Sequence, residues 1–213
     1  MHTIDFYFDP ISPYAALAFE RLPEALAGRS VAVRYLPIVF GAMLKSLDHK
    51  GPAEIPGKRD WTYRQVLWQG HRLGVPLDLP AAHPFNPLPL LRLLWATAPA
   101  GQTPGRHAVE QVLRHVWRGG QDAADPARLA ALAAELAPQR DPASDEVKAA
   151  LREATDAALA RGVFGVPTMA VADKLFWGLD AMDMVTAYLD GDAWFDGPAW
   201  TAAATLPVGV RRS

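Results

Sequence analysis

The sequence predicts an α/β protein in which a βαβ unit at the N-terminus and a ββα unit near the C-terminus are separated by a long all-helical stretch. Three observations carry this prediction. The first forty residues switch from a β-type run to a helical period and back to a β-type run. Between about Phe40 and Arg161 the apolar residues follow helical periods joined by Pro- and Gly-rich connectors, with no strand signal. After Gly162 the β character returns and ends in one more helix.

Ile4–Phe8 is rich in aromatic and β-branched residues and stops at Asp9-Pro10, as a buried strand does. Ser12 then stands at an N-cap position with Pro13 at the first helical position, and Tyr14, Leu17, Ala18, Leu22 and Leu26 recur at helical spacing up to Gly28. Val31–Leu36, closed by Pro37, reads as the second strand. Helices are expected near Trp61–Leu73, Leu88–Ala98, Gly105–Trp117 and Pro126–Leu136. A further helix is the clearest: Ser144 caps it, Asp145 and Glu146 fill its first turn, Val147, Leu151, Ala154 and Ala158 share a face, and Gly162 follows. Val166–Val171, an Ala172-Asp173 turn and Leu175–Trp177 predict a hairpin. Asp180 is expected to cap the last helix, with Met184, Val185 and Leu189 on its apolar side. Residues 1–39 and 162–191 are therefore read as one α/β domain in two segments, 40–161 as a helical insertion domain and 192–213 as a tail. Trp194, Phe195 and Trp200 suggest that this tail docks on the domain or on a partner subunit, unless it is merely floppy.

Composition limits the chemistry. With 213 residues, half of them apolar, the chain can bury a substantial core. A net charge of −2 offers no general field for nucleic acid. No cationic lead precedes an apolar run at the N-terminus, and no stretch reaches the roughly 18 apolar residues of a membrane span, so a cytoplasmic location is expected. With no cysteine, the chain can form no disulfide, no thiolate metal site and no cysteine nucleophile. Its six histidines form neither HExxH nor HxxxH, so no metal site is expected. Phosphate-cradling glycine motifs are also missing. Ser12 lies in no GxSxG turn and has no neighbouring His base, which argues against a serine nucleophile.

In their order along the chain, "FDPISPYAALAFE", "YLPIVFGAMLK", "GPAEIPGKRDW", "HPFNPL", "GVFGVPTMAV" and "FWGLDAMDMV" resemble a known family. Together with the βαβ and ββα units split by helices, they are similar to the DsbA-like kappa class of glutathione transferases. Within that class they most resemble the bacterial 2-hydroxychromene-2-carboxylate isomerases, over residues 3 to 190. Ser12-Pro13-Tyr14-Ala15 stands where a thioredoxin-type oxidoreductase would carry Cys-Pro-Tyr-Cys. The resemblance implies a thioredoxin-like fold and glutathione as cofactor, so that the sulfur absent from the chain would be borrowed.

The physical reading of Ser12 agrees with that implication. The first turn of a helix offers unpaired N–H groups and partial positive charge, and a hydroxyl adds a hydrogen bond, so a thiolate is favoured there over a thiol. Lowering a thiol pKa from about 8.5 to about 6.5 needs roughly 2.7 kcal/mol of selective stabilisation, within reach of those two effects. Ser12 as a plain cap is the alternative. The resemblance further implies that Pro167 is cis, that Val166 pairs its main chain with the glutathione peptide, and that Asp180 after Leu179 meets the γ-glutamyl end. It departs at Ala181, where the family usually has arginine, and at Asp48–Pro52, where the family has a Gly-Asn element. Lys45 matches the family's lysine for the substrate carboxylate, with Lys58, Arg59 and Asn86 as further candidates. Trp61, Phe85 and Trp177 could serve as aromatic walls. The activity implied is interconversion of 2-hydroxychromene-2-carboxylate and trans-o-hydroxybenzylidenepyruvate through reversible thiolate addition and bond rotation. A kappa-type transferase or peroxidase, and a non-catalytic peptide-binding module, are the alternatives. The expected partners are a small aromatic carboxylate and a second copy of the chain, with no nucleic acid and no membrane.

Overall fold

A computed structural model describes residues 1–207 and Gly209. The end of the expected 192–213 tail, positions 208 and 210–213, lies outside the described residues. Four strands form one sheet in the order β2-β1-β3-β4, with β1 (His2–Phe8), β2 (Val31–Pro37), β3 (Thr168–Val171) and β4 (Lys174–Trp177). β2 runs parallel to β1 across the helix α1 (Pro13–Ala25), while β3 is antiparallel to both β1 and β4. Ile4 to Phe8 are all buried because both faces of β1 are covered. Ile4, Phe6 and Phe8 face the main core with Leu17, Phe19 and Leu22 of α1, whereas Tyr7 faces a second cluster with Ile38, Met43 and Ala158.

The helices between β2 and β3 are α2 (Phe40–Ser46), α3 (Lys58–Leu73), α4 (Leu88–Ala96), α5 (Arg106–Trp117), α6 (Pro126–Leu136) and α7 (Asp145–Ala160). α2 goes beyond the expected elements. It is short, contains Gly41, and its N-cap residue Val39 provides no side-chain cap, so it gives none of the usual start signals. The main core runs from Phe6 and Leu17 through Leu94, Val112 and Val116, so α4 and α5 are packed directly on the sheet-and-α1 layer. On the other face, α7 carries Arg161 at its end, and this guanidinium with Arg34 holds the buried Asp5. Burial opposes the ionised form of Asp5, but hydrogen bonds from Arg34 and Arg161 prevail and keep its pKa below the usual value.

Two boundaries near the site differ from expectation. The third strand begins at Thr168 rather than Val166, because Val166-Pro167 is a cis peptide unit that lies before the ladder. α8 (Met182–Leu189) starts after Asp180: Ala181 holds the N-cap position, and no side chain caps the helix. The expected Asp180 cap is thus absent, since its carboxylate folds back over Gly178, which has φ +100° and no room for a Cβ. The described part of the tail docks on its own chain through Phe195 and Trp200. Phe195 is buried, Phe195 and Trp200 pack on Phe176 with ring centroids 5.7 and 6.2 Å away, and α9 (Pro198–Ala204) follows.

Candidate active site

The site begins at the turn between β1 and α1. Ser12 caps α1 with extended backbone (φ −90°, ψ 117°), and its Oγ accepts from Ala15 N at 3.3 Å. Pro13 carries no N–H, so the helix start has one orphan fewer. Tyr14 N–H finds no acceptor among the described residues, which leaves a first-turn donor beside the serine hydroxyl.

The polar groups of the turn are held from several sides. Ser12 N donates to Asp9 O at 3.0 Å. Trp117 Nε1 of α5 donates to Pro10 O at 2.9 Å, and His83 Nε2 lies 2.8 Å from Ile11 O. A carbonyl only accepts, so the proton sits on Nε2, and Nδ1 takes the Tyr63 hydroxyl at 2.7 Å. Burial pushes the His83 pKa below its ordinary value, with Ile11 O partly opposing, which keeps the ring in this neutral form. The Asp9 carboxylate accepts Ile11 N and Phe40 N at 3.0 Å each. Three of these residues, Asp9, His83 and Trp117, were not singled out in the sequence. His83 stands in "HPFNPL" and Asp9 in "FDPISPY", but their partners are set only by the fold.

Across from the turn lies the cis Val166-Pro167 unit. Ser12 Oγ approaches Val166 O at 3.4 Å, a long bond that is easily given up. Val166 N–H makes no hydrogen bond among the described residues, so this segment keeps a free main-chain donor. Pro167 O accepts from Gly178 N at 2.9 Å, which ties the segment to the start of the Gly178-Leu179-Asp180 corner. Leu179 is buried and Asp180 exposed, without an ion-pair partner among the described residues. Tyr14, whose hydroxyl donates to Gln65 Oε1 at 2.6 Å, has its pKa raised first by burial and then by the Asp180 carboxylate, so Asp180 stands on the same side as the start of α1. Ser12 thus meets Val166 directly, and Leu179 and Asp180 follow the glycine that is tied to Pro167.

The remaining candidates are separate. Lys45 is in the last turn of α2, and Lys58 opens α3; both are exposed. Asn86 Oδ1 accepts from Leu88 N at 3.1 Å, a local turn at the start of α4. No hydrogen bond or ion pair links Lys45, Lys58 or Asn86 to Ser12. Arg59 stacks over the Tyr63 ring at 5.1 Å. Of the aromatic candidates, Trp177 is exposed, lies across Gly165 and packs against Phe164 with centroids 5.0 Å apart, next to Val166. Trp61 is exposed on α3, and Phe85 packs against His83. Among the described residues, no group of three or more His, Asp or Glu side chains is gathered as a metal ion would require. No described helix is long and apolar enough to cross a membrane.

A four-stranded α/β sheet with a serine-capped helix facing a cis proline, and helices inserted between the strand pairs, defines a thioredoxin-type scaffold. The sequence model of the DsbA-like thioredoxin domain matches residues 3–190, and the chain belongs to that family. Within it the chain groups with the 2-hydroxychromene-2-carboxylate isomerases and kappa-class glutathione transferases. It is 31% identical over 196 residues to 2-hydroxychromene-2-carboxylate isomerase of Pseudomonas sp. (strain C18), covering 88% of this chain and 90% of that relative. To human glutathione S-transferase kappa 1 it is 25% identical, over 92% of this chain and 93% of the other. The solved structure of a 2-hydroxychromene-2-carboxylate isomerase shares its fold, with a TM-score of 0.76, 24% identity, and coverage of 97% of this chain and 100% of the other. These relatives are enzymes, and the protein is an enzyme of this glutathione-related branch.

Proposed function

We propose that the protein is a glutathione-dependent isomerase that interconverts 2-hydroxychromene-2-carboxylate and trans-o-hydroxybenzylidenepyruvate, or close analogues, in aromatic degradation. The observation that carries this reading is the cysteine-free α1 start, where the Ser12 hydroxyl and the unpaired Tyr14 N–H lie beside the cis Val166-Pro167 unit. Residues of the chain fit glutathione. Val166 offers a free N–H to a peptide main chain, and Asp180 offers an unpaired carboxylate to an ammonium. The uncapped first turn of α8 offers N–H groups to a carboxylate.

Glutathione supplies a thiol able to add reversibly to a conjugated double bond. Ser12 Oγ holds its proton toward that sulfur once it releases the long contact to Val166 O, and it does not itself attack. The α1 dipole and the Tyr14 N–H favour negative charge at the same point. Lys45 is exposed and without an ion-pair partner among the described residues, as a group that meets a substrate carboxylate would be, and Lys58 and Asn86 are secondary candidates for that role. The same reading takes the enzyme as a cytoplasmic homodimer. Exposed Trp61 and Trp68, seven residues apart on one face of α3, support a second copy as neighbour.

Product analysis tests the proposal. Incubation with glutathione and 2-hydroxychromene-2-carboxylate should give the ring-opened pyruvate while total thiol stays constant. Loss of thiol with a conjugate formed would favour a kappa-type transferase, and glutathione binding without turnover would favour a peptide-binding module.

A further inference from the structure

The buried carboxylate of Asp9 has no role in the chemistry above, yet it sits at the joint of the site. It is fully buried, and its two oxygens divide their work: Oδ1 takes Ile11 N–H, next to Ser12, and Oδ2 takes Phe40 N–H, the first residue of α2. α2 carries Lys45 in its last turn and has no other side chain capping it apart from Thr155 of α7, whose Oγ1 accepts Val39 N at 3.1 Å. Among the described residues no charged or titratable side chain bonds to the Asp9 carboxylate, Tyr7 on β1, Tyr14 on α1, Lys45 on α2, His83 before α4 and Arg161 after α7 included, and only the two amides bond to it. A buried carboxylate without a cation is costly, so its retention at a two-way junction calls for a reason.

We propose that Asp9 is a positioning residue that locks the Ser12 turn to the start of α2, so that the serine and lysine sides of the site hold one geometry. This rests on the reading of Ser12 and Lys45 given above. An ionised carboxylate accepts both amides. Once protonated, its O–H oxygen faces one amide N–H with a donor of its own, and one of the two bonds weakens. Burial raises the Asp9 pKa to about 7, with the Ile11 and Phe40 amides pulling the other way, so the lock loosens within the neutral range.

Amide NMR of the full chain at pH 5.5 to 8 tests this in the parent and in Asp9→Asn. The proposal expects the Ile11 and Phe40 amide signals to titrate together with one midpoint near neutrality in the parent, and neither to titrate in the variant. Across the same range, the fraction of bound glutathione present as thiolate should fall several-fold in Asp9→Asn, with its dissociation constant changing far less. PH-independent signals in the parent, or the same titration in the variant, would overturn the lock. Because Asp9→Asn could fold poorly, Asp9→Glu is the second variant; it keeps the charge, and its Ile11 and Phe40 signals should still titrate. Joint titration without any bound thiolate in the parent would reject the glutathione reading and keep the lock, while thiolate with flat amide signals would reject the lock alone.

Discussion

The turn before α1 and the lysine-bearing surface of α2 and α3 are opposite in construction. At residues 9–12 every backbone carbonyl has a donor, two of them side chains from 72 and 107 positions away, and the supporting groups are largely buried. Lys45 and Lys58 are exposed and make no ion pair among the described residues. One region spends folding energy to fix a geometry, and the other leaves charge in water, ready for a ligand. Substitutions in the first should therefore cost stability and chemistry together, whereas those in the second should alter substrate affinity with little effect on folding.

The largest effect is expected at Trp117, which is fully buried and holds Pro10 O. Trp117→Ala should lose about 4 kcal/mol in urea unfolding, and Trp117→Phe, which mainly orphans the carbonyl, about 1–2 kcal/mol. Equal, small losses would mean that the turn does not depend on α5.

Two buried carboxylates sharpen the comparison through pH. Asp9 has a folded-state pKa raised from 3.8 to about 7, so the folded chain binds more protons than the unfolded one between those values. Its contribution should weaken stability by up to about 4 kcal/mol as pH rises from 4 to 7, and the slope should vanish in Asp9→Asn. Asp5 has a depressed folded-state pKa, despite its burial, because Arg34 and Arg161 hold it. Its contribution is present above pH 3.8 and lost as pH falls below it, a dependence that Asp5→Asn should remove. Urea unfolding of parent and variants at several pH values checks both signs.

At the other extreme, Lys45→Ala should change unfolding free energy by less than about 0.5 kcal/mol while raising KM for a carboxylate substrate several-fold. An unchanged KM would remove Lys45 from the site.

The same contrast explains what could be read in the sequence. Ser12 was legible because a cap followed by an N1 proline is local chemistry, and "GVFGVPTMAV" pointed to the segment facing it. The strands and the long helices followed from period and termini, as with Ser144 at α7. α2 was hidden because seven residues with Gly41 and no capping side chain of their own carry no start signal; Asp9 and Thr155 reach it only through the fold. Asp180 looked like a cap because aspartate before a helix usually is one, but Gly178 lets its carboxylate turn back instead. Asp9, His83 and Trp117 act over long separations, and no local pattern records an acceptor that only the fold brings within reach.

The central claim is that Ser12 activates a borrowed thiol. A difference-UV titration with glutathione near neutral pH, in the parent and in Ser12→Ala, tests it most directly. The account predicts thiolate absorbance in the parent and a fall in bound thiolate of about 10- to 100-fold in Ser12→Ala, as the loss of a hydrogen bond to a charged group would give. Equal thiolate in both proteins, or glutathione bound to the parent only as the neutral thiol, would contradict it.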